Sequence, residues 1–111
     1  MEGVRRGALV AAVLAGDYGK PRPALVVQSD LLFEAPSVIV APLTSDIRDD
    51  VSLFRIDIVP SAENGLLRAS QIAIDKIAPL PRRRIGQVIG VADDVTMLRV
   101  ERALRLVLAL G

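Results

Sequence analysis

With 111 residues the chain has room for one domain and one main core, not two. Hydrophobic residues make up 51% of it and aromatics only 3%, so that core must be packed from Val, Leu, Ile and Ala. The near balance of 14 Lys and Arg against 13 Asp and Glu means that any nucleic-acid site has to be built from local arginines, and the absence of cysteine and histidine excludes disulfides, thiolate or imidazole metal sites, cysteine nucleophiles and histidine proton shuttles.

The first element spans Val4 to Leu14, an apolar and partly β-branched run that stops at Ala15-Gly16-Asp17-Tyr18-Gly19, which predicts a strand followed by a glycine-bounded loop. Two arginines ahead of ALVAAVLAG also give Met1 to Gly16 the look of a short secretory leader. The run is too short to cross a bilayer, and the remaining chain needs it as a buried first strand, so a cytoplasmic protein is expected. Pro21 and Pro23 flank Arg22, and a proline pushes the residue before it towards extended geometry; Arg22 is therefore expected on a stiff backbone just before a strand from Ala24 to Gln28.

Ser29 and Asp30 can cap a short helical turn through Leu31, Leu32 and Phe33, which Pro36 ends. Ser37 to Leu43 is an almost wholly apolar central strand that terminates in Thr44-Ser45. Asp46 to Ser52 is a polar surface loop, and Leu53 to Val59 alternates as a half-exposed strand does before Pro60 to Gly65 makes a turn. Leu66 to Ile77 holds one or two further strands around Arg68-Ala69-Ser70-Gln71, and Pro79 and Pro81 punctuate the approach to Arg82-Arg83-Arg84 and a short strand, Ile85 to Ile89, closed by Gly90. From Asp93 or Asp94, either of which can be an N-cap, one helix runs to Leu110 with Val95, Leu98, Ala103, Leu106 and Leu110 on its apolar side. Strands followed by a terminal helix, with no repeat or linker, predict one α+β domain over residues 1–111, a small, strongly curved, barrel-like antiparallel sheet covered by helix.

Four segments in this order, GDYGKPRPALVVQSD, VIVAPLTS, NGLLRASQIAIDKI and RALRLVLALG, resemble the MazF/PemK family of toxins from type II toxin–antitoxin systems. The most specific pieces are Arg22-Pro23-Ala24-Leu25-Val26-Val27 and Ala41-Pro42-Leu43-Thr44-Ser45. The resemblance implies an SH3-like barrel of the CcdB/MazF type with a C-terminal helix, paired as a homodimer. It further implies an endoribonuclease that uses no cofactor and no metal and cuts single-stranded messenger RNA at short sequences, leaving a cyclic phosphate and a free 5′ hydroxyl. The implied partner is an antitoxin whose disordered segment folds across the RNA groove with acidic groups near Arg22. DNA would be reached only through that antitoxin complex, since this chain shows no DNA-reading motif.

By position the family's conserved arginine falls on Arg22 and its strand-end threonine on Thr44, the two residues the resemblance nominates as catalytic, with Ser45 adjoining them. Arg68, Ser70 and Gln71 occupy a polar family motif in which Ser70 stands where an aspartate is common. The loop before Arg22 is shorter than in many relatives and lacks the His or Glu often found there, leaving Asp17 as the nearest acidic side chain.

The chemistry is consistent with these residue types. Metal-free RNA cleavage takes its nucleophile, the ribose 2′ hydroxyl, from the substrate, so the protein must orient the strand and neutralise charge on the phosphoryl oxygens. Arg22 offers a planar fork of donors that stays cationic at physiological pH, and Thr44 a hydroxyl on a rigid strand end. The proton acceptor is Asp17 or a water, because an arginine holds its proton too tightly for that role. Tyr18 can stack a base, Lys20 and Ser45 flank the catalytic pair, and Arg68, Ser70 and Gln71 can meet base edges.

Each motif alone has a structural alternative: Arg22 as an ion-pair partner, Thr44 as a turn residue, Asp17 as an ordinary turn acid, and the arginines at 82–84 and at 99, 102 and 105 as solvated or partner-facing surface. Two other classes of function are a non-catalytic binding module and a gyrase-poisoning toxin of the CcdB type. The latter type depends on a tryptophan-containing C-terminal tip, and this chain has no tryptophan.

Overall fold

A computed structural model describes residues 3–16, 18–51 and 53–111, so the proton-acceptor candidate Asp17 lies outside the described residues. Seven strands precede one helix: β1 Ala8–Val13, β2 Pro21–Val26, β3 Ser37–Thr44, β4 Arg55–Ile58, β5 Ser70–Ala73, β6 Ala78–Pro81, β7 Ile85–Val91 and α1 Asp94–Val107. The strands form one antiparallel sheet in the order β4-β5-β3-β2-β1-β7, with β6 also beside β3. The expected α+β architecture is therefore present, and the apolar run near the start of the chain is a buried strand between β2 and β7.

Curvature comes from β3, the longest strand. Its first half, Ser37 to Val40, pairs with β6, while Leu43 and Thr44 pair with β5 on the same edge. Between β5 and β6 the chain turns through a single 3₁₀ turn, Ile74–Lys76. Pro79 and Pro81, which the sequence presents as punctuation ahead of the last strand, both lie inside β6, opposite Ile39 and Ser37. A proline cannot donate to a ladder, and the structure accommodates two because β6 pairs with β3 alone.

Gly90, expected to close the last strand, lies within β7 for a different reason. The turn after β4 approaches so closely that a Cβ on Gly90 would lie 2.2 Å from the Asn64 carbonyl carbon, and one on Gly65 would lie 1.9 Å from the Ile89 carbonyl oxygen. The Val91 amide donates to the Glu63 carbonyl at 2.8 Å across this contact. Buried Asn64 makes the turn rigid, its side chain accepting from the Ser61 and Leu66 amides and donating to the Val59 carbonyl. Strands β4 and β7 end the hydrogen-bonded order on opposite sides, so this turn brings the two sheet edges together where no ladder joins them.

The sheet carries apolar side chains on both faces. Leu9, Leu25, Ala41, Ile56 and Ile72 face α1 and pack with its Val100 and Ala103, whereas Val10, Ala24, Val26, Val38 and Val40 build a second cluster with Leu80 and Ile85. The helix buries Val100 and Ala103, with Met97 and Leu104 against the same core, a spacing that defines one helical face. Val95, Leu98, Leu106 and Leu110, expected on the inner side, are exposed instead. The helix stops at Val107, short of Leu110: Ala109 takes a left-handed φ of 55° while Leu110 and Ala109 donate to the Arg105 and Leu106 carbonyls, the pattern of a Schellman stop. Among the described residues no helix is long and apolar enough to cross a membrane.

Asp93, one of the two expected caps, accepts from the Thr96 amide at 2.8 Å. Hydrogen bonds from Thr96, through its side chain and then its backbone, hold the Asp93 carboxyl below its ordinary value of 3.8. A depressed carboxyl stabilises the fold fully above its unfolded value and loses that contribution as pH falls through the folded one. Asp93→Ala is therefore expected to lower Tm by a few degrees at pH 7, with the gap between variant and native closing in acid below 3.8. Thermal melts across that range check it; a gap that does not change with pH would assign the loss to something other than the ionised cap.

Candidate functional site

Arg22 is the second residue of β2, inside the strand rather than before it, and pairs with Ala12 of β1. Between β2 and β3 the ladder matches Ala24 with Pro42. The ladder ends there; Arg22 and Thr44 each lie two residues beyond it on their own strands, so both side chains fall on the face that carries Ala24 and Pro42, because residues two apart share a side. Thr44 is in turn paired with Gln71 of β5, and Gln71 with Asp57 of β4. A polar row, Arg22, Thr44, Gln71 and Asp57, thus runs across neighbouring strands at one end of the sheet.

Within this row the residues differ in access. Arg22 is exposed and Thr44 is half-buried. The Thr44 hydroxyl oxygen accepts the Asp46 amide at 3.1 Å, which orients the side chain and leaves its O–H to donate elsewhere. Ser45, next along the chain, is exposed. Tyr18 and Lys20 are exposed in the β1–β2 connection just before Arg22, and Tyr18 holds a left-handed φ of 53° between Gly16 and Gly19, both also at positive φ. Arg68 is exposed on the approach to β5.

Ser70 and Gln71 are placed differently from the base-contacting role expected of them. Both are buried, at 7% and 3% exposure. The Ser70 hydroxyl donates to the Arg68 carbonyl, and the Gln71 amide bonds to Arg48 and Asp57. Their polar atoms are committed inward, because each lies in a four-residue strand whose side chains are all buried. Arg68 keeps the accessible position of this motif.

The fold also brings forward Arg48, which the sequence showed only as part of a polar loop. Its guanidinium meets Asp50 through two contacts, 3.2 and 2.9 Å, with both side chains exposed. The hydrogen bond to Arg48 holds the Asp50 carboxyl below the usual range, and the same bond raises the Arg48 guanidinium. Of the basic clusters the sequence left open, Arg82 is structural: its guanidinium donates to the Ala35 and Phe33 carbonyls and ties down the 30–36 turn. Among the described residues no three acidic side chains gather in a way that could hold a metal ion.

Exposed Lys20 and Arg22 precede and open β2, exposed Arg68 precedes β5, and Thr44 ends β3, the strand beside both. A family model described as PemK-like, MazF-like toxin of type II toxin–antitoxin system matches residues 5–108. A Mycolicibacterium smegmatis protein described as a probable endoribonuclease MazF is 37% identical over 109 residues, covering 97% of this chain and 99% of that one. Solved structures share the fold: Mycobacterium tuberculosis toxin MazF-mt6 superposes with a TM-score of 0.78 at 23% identity, covering 94% of this chain and 98% of that one. An endoribonuclease in complex with its cognate antitoxin from a mycobacterial species gives a TM-score of 0.79 at 20% identity, with 96% of each chain covered. A MazE–MazF structure from Deinococcus radiodurans gives 0.76 at 21% identity, again with 96% of each chain covered. A curved antiparallel sheet with one terminal helix is thus the fold of MazF toxins. The chain belongs to the PemK-like, MazF-like toxin family of type II toxin–antitoxin systems.

Proposed function

We propose that this protein is an endoribonuclease that cuts single-stranded messenger RNA at short sequences, with Arg22 and Thr44 as its catalytic residues. The observation that supports this most is that exposed Arg22 and the oriented Thr44 hydroxyl lie on one face of the adjoining strands β2 and β3, each two residues beyond the matched pair Ala24 and Pro42. In the reaction a ribose 2′ oxygen attacks the adjoining phosphorus, the bond from phosphorus to the 5′ oxygen breaks, and a cyclic phosphate forms. The 2′ proton passes to an acceptor, Asp17 or a water, and the departing 5′ oxygen takes up a proton to leave as a hydroxyl. Arg22 stabilises charge on the phosphoryl oxygens, and the Thr44 O–H donates to one of them. The step as written needs no metal, because the nucleophile belongs to the RNA and the guanidinium supplies the positive charge.

Lys20, Arg68 and Ser45 extend the contact along the strand, and Tyr18, fully exposed, supplies a stacking face. Phosphate contacts carry most of the affinity, so apparent binding should weaken steeply with salt. A relative 37% identical is described as a probable endoribonuclease, and one structural neighbour was solved with its cognate antitoxin, which support both the activity and an antitoxin partner for this chain. The exposed apolar side of α1, Val95, Leu98 and Leu106, favours a homodimer over a lone chain, and the setting is the cytoplasm, where the messenger is.

The direct test incubates the purified chain with a long mixed-sequence RNA in excess chelator and maps new 5′ ends. Defined cuts carrying 5′ hydroxyls are expected. Intact RNA from a chain that still arrests growth would overturn the reading in favour of a binding toxin.

A further inference from the structure

The side chain of Gln71 makes three contacts that its place in β5 does not require. Its Oε1 accepts the Arg48 amide at 3.0 Å, and its Nε2 donates to the Arg48 carbonyl at 2.9 Å and to Asp57 Oδ1 at 2.9 Å. Both amide hydrogens and the carbonyl are thereby engaged, which is what makes burial of this polar group at 3% exposure tolerable. The paired contacts to Arg48 copy what a neighbouring antiparallel strand would offer one residue, and Arg48 lies in a loop that has no such neighbour. A carboxylate can only accept, so Asp57 dictates that Nε2 faces it and thus which way the amide points.

The held loop begins at the catalytic hydroxyl. Thr44 Oγ1 accepts from Asp46, two residues before the Arg48 backbone that Gln71 clamps, and Gln71 is itself the residue paired with Thr44 across the sheet. The 44–48 segment is therefore fixed at both ends from one side. We propose that Gln71 is a positioning residue for RNA cleavage, holding this segment so that the Thr44 hydroxyl and Ser45 keep their places beside the phosphate; the inference rests on the ribonuclease reading above. Because the clamp acts on backbone atoms, it works whatever side chain stands at 48.

The test uses the full chain and a short single-stranded RNA spanning one cut mapped with the native protein. Gln71→Met keeps the volume and removes the three contacts; its kcat should fall by about 10- to 100-fold with KM within about twofold, the scale expected when a reacting group is displaced by a fraction of an ångström to 1 Å. In Thr44→Ala the variant should add little, the double variant staying within about twofold of Thr44→Ala alone, because both changes remove the same oriented hydroxyl. Amide exchange should quicken at Asp46 and Arg48 and stay unchanged in β1. A kcat within twofold of native, a loss carried by KM, or effects that multiply in the double variant would each overturn the proposal. Should Gln71→Met not fold, Asp57→Ala, at an exposed site, replaces it: kcat reduced several-fold at constant KM is expected, and an unchanged kcat overturns the inference. A native chain that leaves the RNA intact overturns the ribonuclease reading first and this inference with it, whereas a native chain that cuts as well as its Gln71→Met variant sinks this inference alone.

Discussion

Gly90→Ala is expected to be among the most damaging single-methyl substitutions in this protein, lowering its stability by about 3 kcal/mol, the upper part of the range for forcing atoms into a packed site. For a domain of this size that corresponds to a Tm lower by roughly 10–20 °C. The reason is what the new methyl would meet. At Gly90 it lies 2.2 Å from the Asn64 carbonyl carbon, 2.3 Å from its oxygen and 2.5 Å from the Glu63 carbonyl oxygen, all backbone atoms of a turn that Asn64 locks from within. A flexible side chain would swing away; this turn has to move as a unit, and moving it breaks the hydrogen bond from Val91 to Glu63. Gly65→Ala adds a left-handed φ of 67° to the same collision. Gly19→Ala separates the two costs, since it has positive φ but, among the described residues other than its chain neighbours, no atom within 4 Å of the added carbon. It should cost only the about 1–2 kcal/mol of placing an L-residue in the left-handed region. Thermal melts of the three variants decide the matter: a Gly90→Ala protein that melts with the native chain would mean that the β4 turn does not close the two sheet edges together.

That contact was also the least visible feature of the fold in the sequence. Most strands could be placed because their signals are local: the apolar run that became β1, the stretch from Ser37 to Thr44, the alternation behind β4 and the cap at Asp93. Gly65 and Gly90 looked like ordinary turn punctuation because their purpose is a meeting between segments 25 residues apart, and no local pattern encodes it. Pro79 and Pro81 misled for a related reason, since whether a proline is tolerated in a strand depends on how many neighbours the strand has, which is a property of the whole sheet. Of the expected helix face only Ala103 is buried: Leu98 and Leu106 are the larger apolar residues, yet the helix turns Val100 and Ala103 towards β4 and the Ile74 turn. At the proposed site, Arg22 and Thr44 were legible through motif resemblance, and the structure puts both on one face of β2 and β3, just beyond the last matched pair. Gln71 was legible as part of a polar motif expected to meet base edges, but not as an inward clamp: its orientation follows from a strand buried on both sides, and its partner Arg48 comes from a loop with no sequence signature.

Arg22→Ala should abolish defined cuts under conditions where the native chain makes them, a loss of about 10²–10³ or more in kcat, as when a donor aimed at a developing oxyanion is removed. The argument is electrostatic and geometric. Arg22 is exposed on a strand stiffened by Pro21 and Pro23, so in the proposed mechanism its backbone needs little further ordering when the guanidinium meets the phosphate. Arg22→Lys keeps the charge and loses the two-pronged fit; it should recover RNA binding and only a small part of the rate. Thr44→Ala removes the oriented O–H and frees the Asp46 amide at once, so a loss of about 10-fold or more is expected, while Thr44→Ser, which keeps the hydroxyl, should recover most of it. Because Arg22 is exposed and Thr44 half-buried at a strand end, both alanine variants should fold and melt close to the native chain. Single-turnover cleavage of one mapped RNA, with growth arrest on expression as the cellular counterpart, measures all four variants. A folded Arg22→Ala protein that cuts at the native rate would remove the guanidinium from the mechanism, and with it the significance of the face that Arg22 and Thr44 share on β2 and β3.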